Sequence, residues 1–281
     1  MIRPPAAVAA AVVRVPVALV LPVAVVLGAG GCSGLGETAP ARPVRVSPSP
    51  VSPAPRTSAP TAPATAPALS TGQARAALVT DADLGEPWVP TEGAASWRDG
   101  YLKARTSPGT PRDCQRLLDV LYTDELLGAP PRAVTGLDDA YTGAQLRYQV
   151  TTRRPADVDR TLAWLADMPE RCGEFTATTA SGGTERVQVY DAALPDAGDA
   201  RQGLRLTVTP EAGEAGEPDE PDRPEGGAPL TLDVAAVRVG EDALALTNGG
   251  LDVVWSEITQ AVAELGAERL AAVRKQGRAQ V

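Results

Sequence analysis

Residues 230–248 read LTLDVAAVRVGEDALALTN, and this stretch decides the fold of the chain. Two runs rich in aliphatic residues, at about 230–239 and 243–248, flank the turn Gly240-Glu241-Asp242. Strand-like runs separated by so short a turn are typical of an antiparallel β-hairpin. The stretch therefore predicts two neighbouring strands of a sheet.

Further strands are predicted upstream of this hairpin. Leu146, Tyr148 and Val150 alternate with polar residues, which indicates a half-buried strand. Similar patterns occur at about 173–179, 185–190 and 201–209. The acidic, Pro- and Gly-rich residues 210–228 predict an exposed loop before the hairpin.

Helical spacing of apolar residues predicts four helices, at about 73–84, 112–126, 156–168 and 251–274. The apolar stripe of the last helix comprises Leu251, Val254, Trp255, Ile258, Val262 and Leu265. Four or five sequential strands with short links form a meander, and helices before, between and after them would cover one face. We therefore expect one α+β domain over residues 71–281, with an antiparallel sheet of about five strands covered by helices.

The N-terminus has the pattern of a signal peptide over residues 1–31. Arg3 and Arg14 flank a short Ala/Val segment, and residues 15–27 are uncharged and strongly apolar. The apolar run is marginal for a transmembrane helix, which needs about 20 apolar residues. This pattern predicts export across the membrane.

Cys32 lies where the apolar run stops, after the small residues Gly28-Ala29-Gly30-Gly31. The segment resembles the bacterial lipobox, in which small residues precede a lipid-modified Cys, although Ala29 stands where Leu is commoner. The resemblance implies acylation of Cys32 and a protein held on the extracellular face of the cell membrane, because two acyl chains anchor stably. The alternative is an ordinary signal peptide followed by a chance Cys.

Residues 32–70 predict a lipid-anchored N-terminus and a disordered linker. Pro, Ala, Ser and Thr dominate 37–70, and such a composition cannot bury enough apolar surface to fold. An extended Pro-rich chain of this length reaches roughly 100 Å. The tether would let the domain stand clear of the membrane, although a plain spacer and O-glycosylation also fit the composition.

The composition narrows the classes of function. The chain has no histidine, which removes Ser-His-Asp and Cys-His catalysis and His-ligated zinc. The net charge of −9 at pH 7 disfavours nucleic acid as a partner. We expect a protein that is not an enzyme and that needs no cofactor or metal ion.

Cys114 and Cys172 remain after the anchoring Cys. The extracellular compartment is oxidising, so an even pair is expected to form a disulfide. The bridge would join the helix at 112–126 to the end of the helix at 156–168. The alternative is two free thiols, one of them nucleophilic, although no His is present to activate either.

Acidic residues provide two candidate sites, each with a simpler explanation. Asp219, Glu220, Asp222 and Glu225 could attract Ca²⁺, but interrupting prolines favour a solvated loop. Two further pairs could serve acid–base chemistry, but their Gly, Pro and Ala neighbours favour turns. These pairs are Asp138-Asp139 and Asp196/Asp199.

Aromatic residues provide a third candidate. Trp88, Trp97 and Tyr101 fall close together in the sequence and could line a saccharide or lipid pocket. Packing at the edge of the core is the favoured explanation. The lone Phe175 is most simply a core residue.

Several features spread over about 71–281 resemble the extracellular sensor domain of the PknH-type serine/threonine kinases of actinobacteria. They are Leu84 with Pro87-Trp88, Cys114 before Leu117-Leu118, Cys172 before Phe175, Gly198-Asp199, Val237 with Val239-Gly240, and the closing helix. That domain also occurs alone in surface lipoproteins. The resemblance implies an α+β domain with a central antiparallel sheet and a cleft for an extracellular ligand. The kinase form has two disulfides, whereas this chain can form one. Any signalling would need another protein.

Together these features predict a non-enzymatic envelope lipoprotein whose extracellular domain binds a cell-wall ligand or an envelope protein. The sequence does not identify the ligand-binding residues. A purely structural or interaction module is the first alternative and predicts a flat, polar surface. A carboxylate-only enzyme acting on envelope glycans is the second, and it needs two carboxyl groups in one pocket about 5–9.5 Å apart.

Overall fold

The computed structural model describes residues 68–93, 97–128, 130–211 and 227–279. The signal peptide, Cys32 and most of the linker lie outside the described residues, and the expectations for them stay predictions. The same holds for the candidate Ca²⁺ ligands Asp219, Glu220, Asp222 and Glu225. The packed residues begin before position 71, because Leu69 is buried and Ser70 caps the first helix.

Nine strands form a single antiparallel sheet in the order β1-β3-β4-β9-β8-β7-β6-β5-β2. The hairpin predicted from residues 230–248 is β8–β9 at its centre. The strands are β1 (Trp88–Pro90), β2 (Ala104–Thr106), β3 (Ala133–Asp139), β4 (Gln145–Thr152), β5 (Glu174–Thr179), β6 (Thr184–Asp191), β7 (Ala200–Pro210), β8 (Leu230–Val239) and β9 (Asp242–Gly250). The expected α+β class with one antiparallel sheet is correct, but the expected number of about five strands is wrong. The sequence patterns missed β1 and β2, which are three residues long, and β3, which has little apolar alternation.

Six α-helices lie in the described residues. They are α1 (Thr71–Ala76), α2 (Asp81–Leu84), α3 (Arg112–Tyr122), α4 (Pro155–Ala166), α5 (Met168–Arg171) and α6 (Ser256–Ala279), and a π-helical turn spans Arg98–Leu102. The helix expected at 73–84 is two short helices separated by the buried Val79. No helix within the described ranges is long and apolar enough to span a membrane.

Helices cover both faces of the sheet, not one face as the sequence suggested. In β8, Val234 and Ala236 belong to the apolar cluster that contains α3, α4 and α5, and we call this side the α3 face. Ala235 and Val237 belong to the cluster that contains α1 and α6, on the α6 face. A run of small apolar residues without polar alternation suits a strand that is buried on both sides.

The two layers of helices are offset along the sheet. The α3-face cluster includes apolar residues of β2 and β5–β9, whereas the α6-face cluster draws on β1, β3, β4, β8 and β9. On the α6 face, β5, β6 and β7 therefore carry polar side chains that are exposed or half-exposed. The offset leaves this part of the sheet as an open surface beside α6.

Close packing of α6 on the sheet depends on a helical glycine. A Cβ atom built on Gly266 would lie 2.5 Å from the hydroxyl oxygen of the fully buried Tyr148. The Tyr148 hydroxyl donates a hydrogen bond to the Ala77 carbonyl oxygen at 3.3 Å. Tyr148 thus ties the segment after α1 to β4 beneath α6.

Cys114 and Cys172 form a disulfide, with their Cα atoms 5.5 Å apart. Cys114 lies in the first turn of α3, and Cys172 follows α5. Both are buried in the α3-face cluster. The bridge therefore joins two helical segments that cover the same face of the sheet.

Candidate functional site

Residues 251–255 form the connection between β9 and α6, and three of them display apolar side chains to solvent. Leu251, Val253 and Trp255 are exposed, Trp255 by 57%. The sequence placed Leu251, Val254 and Trp255 on the buried stripe of a helix beginning at 251, which is wrong because α6 begins at Ser256. Among these three, only Val254 is buried.

A buried carboxylate lies behind this connection. Asp233 of β8 is 1% exposed. Its Oδ1 accepts a hydrogen bond from Arg205 Nε at 2.7 Å, and its Oδ2 accepts one from Arg205 Nη2 at 3.2 Å. The Thr259 hydroxyl donates to Oδ2 at 3.1 Å. Such a two-pronged pairing fixes the plane of the guanidinium as well as its position.

The same buried groups hold the backbone of the connection. Arg205 Nη2 also donates to the Val254 carbonyl oxygen at 3.1 Å. The Asn248 side-chain amide donates to the Trp255 carbonyl oxygen at 3.5 Å and to the Thr259 hydroxyl at 3.3 Å. Two successive carbonyl groups are thus bound by side chains of β7 and β9. The apolar side chains of the connection are displayed from a preorganised backbone.

A second exposed aromatic ring lies on the other side of Arg205. Tyr190 of β6 is directly opposite Arg205 of β7 in the sheet register and is 47% exposed. The two N–H groups on Arg205 Nη1 have no hydrogen-bond partner in the described part of the chain. We call the set formed by Tyr190, Arg205, Leu251, Val253 and Trp255 the Arg205 surface.

Neutral polar side chains continue the Arg205 surface across the sheet. Gln188 and Thr207 are partners in register on β6 and β7, two pairs along from Tyr190 and Arg205 and therefore on the same face. Gln188 Nε2 donates to Glu174 Oε2 at 3.0 Å. Aromatic faces bind apolar ring faces of a ligand, while fixed N–H and amide groups bind its oxygen atoms. The arrangement can therefore bind a molecule that presents both.

The aromatic residues singled out in the sequence lie elsewhere and do not meet in one pocket. Trp88 is buried in the α6-face cluster and Trp97 in the α3-face cluster. The Tyr101 hydroxyl donates to the Ala228 carbonyl oxygen at 2.5 Å. Phe175 is buried in the core, as expected. Core packing, the simpler explanation, accounts for both tryptophans.

The candidate carboxylate pairs serve turns and surface ion pairs. Asp139 accepts two backbone N–H bonds from the turn that follows it. Asp138 accepts hydrogen bonds from two neighbouring side chains. Asp199 accepts the Gly240 N–H at 2.6 Å, and Asp196 forms a surface ion pair. Each carboxylate has a structural partner of its own.

In the described part of the chain, a cavity beside α3 and a depression between α4 and β7 are present, and neither of them is an enclosed ligand pocket. One, of about 10 Å³ beside α3, has room for a single water molecule and includes Asp124. The other is a shallow depression of about 300 Å³ between α4 and β7, with Asp159 at its rim. In the described residues, no group of three or more His, Cys, Asp or Glu side chains is placed to hold a metal ion.

Sequence reasoning missed every residue of the Arg205 surface as a candidate. Tyr190 ends an alternating strand pattern, and Trp255 fits a helical one. One signal pointed to the true helix start, because Ser256 followed by Glu257 suits the first turn of a helix.

No protein-family model matches the sequence, and no curated protein matches it. Among solved structures, the chain is similar to the extracellular domain of PknH from Mycobacterium tuberculosis, with a TM-score of 0.40 and 12% sequence identity. The similarity covers 75% of this chain and 98% of that chain. It is a weak likeness of fold, and the family resemblance noted in the sequence stays a prediction.

Proposed function

We propose that this protein is a lipid-anchored, non-enzymatic binding protein on the extracellular face of the cell membrane, and that its ligand lies on the Arg205 surface. One observation carries the proposal. The buried Asp233 holds Arg205 beside the exposed Tyr190, and Arg205 also binds the carbonyl oxygen of Val254, the residue that precedes the exposed Trp255. The lipid on Cys32 would supply the contact with the membrane.

The free-energy cost of a buried ion pair and of exposed apolar side chains supports a binding role for the Arg205 surface. A buried ion pair is a poor way to gain stability, since desolvation offsets most of the Coulomb attraction. Clustered exposed apolar side chains are also unusual unless they contact a partner or ligand. Here the ion pair orders the very connection that displays Leu251, Val253 and Trp255. A recognition surface explains both features together.

A neutral, hydroxyl-rich chain such as a cell-wall glycan fits the chemistry of the surface. Asp233 compensates the charge of Arg205, and the adjacent Gln188 and Thr207 are uncharged. The acidic chain disfavours anionic polymers. Tyr190 and Trp255 would stack on sugar rings, and Arg205 Nη1 would donate to hydroxyl oxygens.

An envelope protein is the second candidate for the bound partner. The surface is an open sheet face, not a cleft, and Leu251 and Val253 add exposed aliphatic area to it. The interaction-module alternative predicted a flat, polar surface. The open face fits the flat part of that prediction, whereas Leu251 and Val253 are apolar.

Replacing either aromatic residue is expected to weaken glycan binding about fivefold. Each stacking contact is worth about 1 kcal/mol, which corresponds to about a fivefold change in affinity. The probe is purified, protein-free cell-wall glycan, and the measurement is the fraction of full-length protein that sediments with it across a concentration series. The variants are Tyr190→Ala and Trp255→Ala. Tyr141→Ala is the control, because Tyr141 is more exposed but lies in the β3–β4 turn.

Equal binding by all four proteins would place the glycan elsewhere. If the wild type does not sediment with glycan at all, the glycan proposal fails. A photo-reactive residue at position 255 would then test for an envelope protein, with position 141 as the matched site.

Changing Cys32 to Ala is expected to release the protein into the medium and to abolish labelling by a radioactive fatty acid. Without the thiol no diacylglyceryl group can be attached, and the tether has nothing to hold it at the membrane. Cell fractionation with immunoblotting measures the distribution. Ser33→Ala, which keeps the thiol, is the control. A Cys32→Ala protein that stays acylated in the membrane would contradict the anchor.

A further inference from the structure

Glu185 is a buried acidic residue that the proposed binding surface does not use. It lies near the start of β6 and is 3% exposed. Its side chain is on the α3 face, because Val187 and Val189, at the next positions of the same face, belong to the α3-face cluster. A carboxyl group here has been removed from water into apolar surroundings.

The neighbours of Glu185 do not compensate a negative charge. Its register partners are Ala177 on β5 and Pro210 on β7, which contribute no polar side-chain atom. Glu185 Oε2 is buried and has no hydrogen-bond partner in the described ranges. The adjacent Arg186 pairs with Glu211 at 3.0 Å on the opposite side of the strand. Burial therefore raises the pKa of Glu185 to about 7.

Tyr101 lies close to the position of Glu185 in the sheet. A Cβ atom built on Gly227 would lie 3.4 Å from the Tyr101 hydroxyl oxygen and 3.6 Å from Cγ of Pro210, the register partner of Glu185. Burial raises the pKa of Tyr101, and the negative charge of Glu185 raises it further. Tyr101 lies in the π-helical turn, and its hydroxyl donates to the Ala228 carbonyl oxygen at 2.5 Å. This bond fastens the chain just before β8 begins. The acidic residues of 212–226 lie outside the described residues.

We propose that Glu185 is a proton-controlled latch: its neutral form keeps the Tyr101–Ala228 contact closed, and loss of its proton opens this end of the domain. The opening lets water reach the carboxylate, which is the physical reason that it follows ionisation. The latch would make the exposure of this end of the sheet depend on the pH outside the cell. It goes beyond the proposed binding function and does not rest on it.

The direction of the pH effect follows from proton linkage. In the open form the carboxyl group is solvated and has its ordinary pKa near 4.5, whereas in the closed form the pKa is about 7. Between these values the open form binds fewer protons, so opening becomes more favourable as the pH rises and levels off above about 7. We expect the opening equilibrium to increase about tenfold or more between pH 5 and pH 7.5.

Hydrogen exchange of backbone amides in the full-length protein tests the latch. Each observed exchange rate is divided by the intrinsic exchange rate at the same pH, and the ratio reports the opening equilibrium alone. Amides of 99–106 and 227–230 should lose about tenfold or more of their protection over this pH range, while those of α6 should not. In Glu185→Gln the pH dependence should vanish. Glu174→Gln, an exposed carboxyl group on the neighbouring strand, should behave like the wild type.

Three results would overturn the latch. One is a pH dependence of amide protection that is the same in the wild-type protein and in Glu185→Gln. Another is a loss of protection shared by all amides, because Glu185 would then affect global stability only. The third is measured on the wild-type protein alone, so it remains a test even if the Glu185→Gln variant does not fold. If no glutamate carboxyl ¹³C signal titrates near pH 7, the carboxyl group is not held as the structure implies.

Discussion

Removing the Cys114–Cys172 disulfide is expected to lower the free energy of unfolding by about 4 kcal/mol. The bridge spans 58 positions of sequence, and closing a loop of that length restricts the unfolded chain by about this amount in the chain-entropy account. A typical domain is stable by only about 5–15 kcal/mol, so the loss is large. The double variant Cys114→Ala/Cys172→Ala and urea unfolding followed by circular dichroism provide the measurement.

Reduction of the wild-type protein is the matched control for this variant. It breaks the cross-link but keeps both sulfur atoms in the core, where Cys114 and Cys172 are buried. A similar loss in both proteins assigns the effect to the cross-link. If the reduced wild type stays within about 1 kcal/mol of the oxidised protein, the bridge contributes little and the prediction is wrong.

Asp233→Ala is expected to cost about 3 kcal/mol of stability. The substitution leaves Arg205 and Thr259 facing a space from which water was excluded, and removing one partner of a buried ion pair costs about 3–5 kcal/mol. The lower end applies because the Arg205 side chain is about one-third exposed and can regain some hydration. The same unfolding measurement gives the difference.

A more exposed aspartate, paired with an arginine at the same distance, provides the control for Asp233. Arg238 Nε lies 2.7 Å from Asp159 Oδ1, the same distance as from Arg205 Nε to Asp233 Oδ1. Asp159 is 48% exposed at its side chain, so Asp159→Ala should cost less than about 1 kcal/mol. Equal costs at the two positions would show that burial does not decide the value of the Asp233 pair.

Asp233→Ala should also loosen the connection between β9 and α6. Arg205 loses the carboxylate that orients it, and with it the fixed contact to the Val254 carbonyl oxygen. Faster amide exchange over 251–255 in this variant, with α3 unchanged, is the expected result. Binding at the Arg205 surface should fall with it, since Trp255 would no longer be held.

The main elements of the domain were open to prediction from sequence. The β8–β9 hairpin, α3 and α4 follow local patterns, namely a Gly-containing turn between apolar runs and apolar residues three or four positions apart. The pairing of Cys114 with Cys172 needed only the inferred compartment and an even count. The short strands β1 and β2 could not be found this way, because three residues carry no period.

The Arg205 surface could not be predicted from local sequence patterns, for a different reason. Tyr190 obeys the alternation of a strand and Trp255 obeys the spacing of a helix, so neither looks unusual in the sequence. They become a site only because β6, β7 and the start of α6 meet around Arg205. Glu185 likewise alternates with apolar residues, and its burial appears only in the folded domain.

The sequence by itself determined the helices and strands whose apolar periodicity is long enough to read, and it predicted the anchor and the tether from composition alone. Tertiary structure decided that helices cover both faces of the sheet, that their offset leaves the α6 face of β5–β7 open, and that Asp233 and Glu185 are buried. The physical reason is the range of the interactions. Periodicity reports which side of an element avoids water, whereas burial of one charged group depends on which distant elements pack against it.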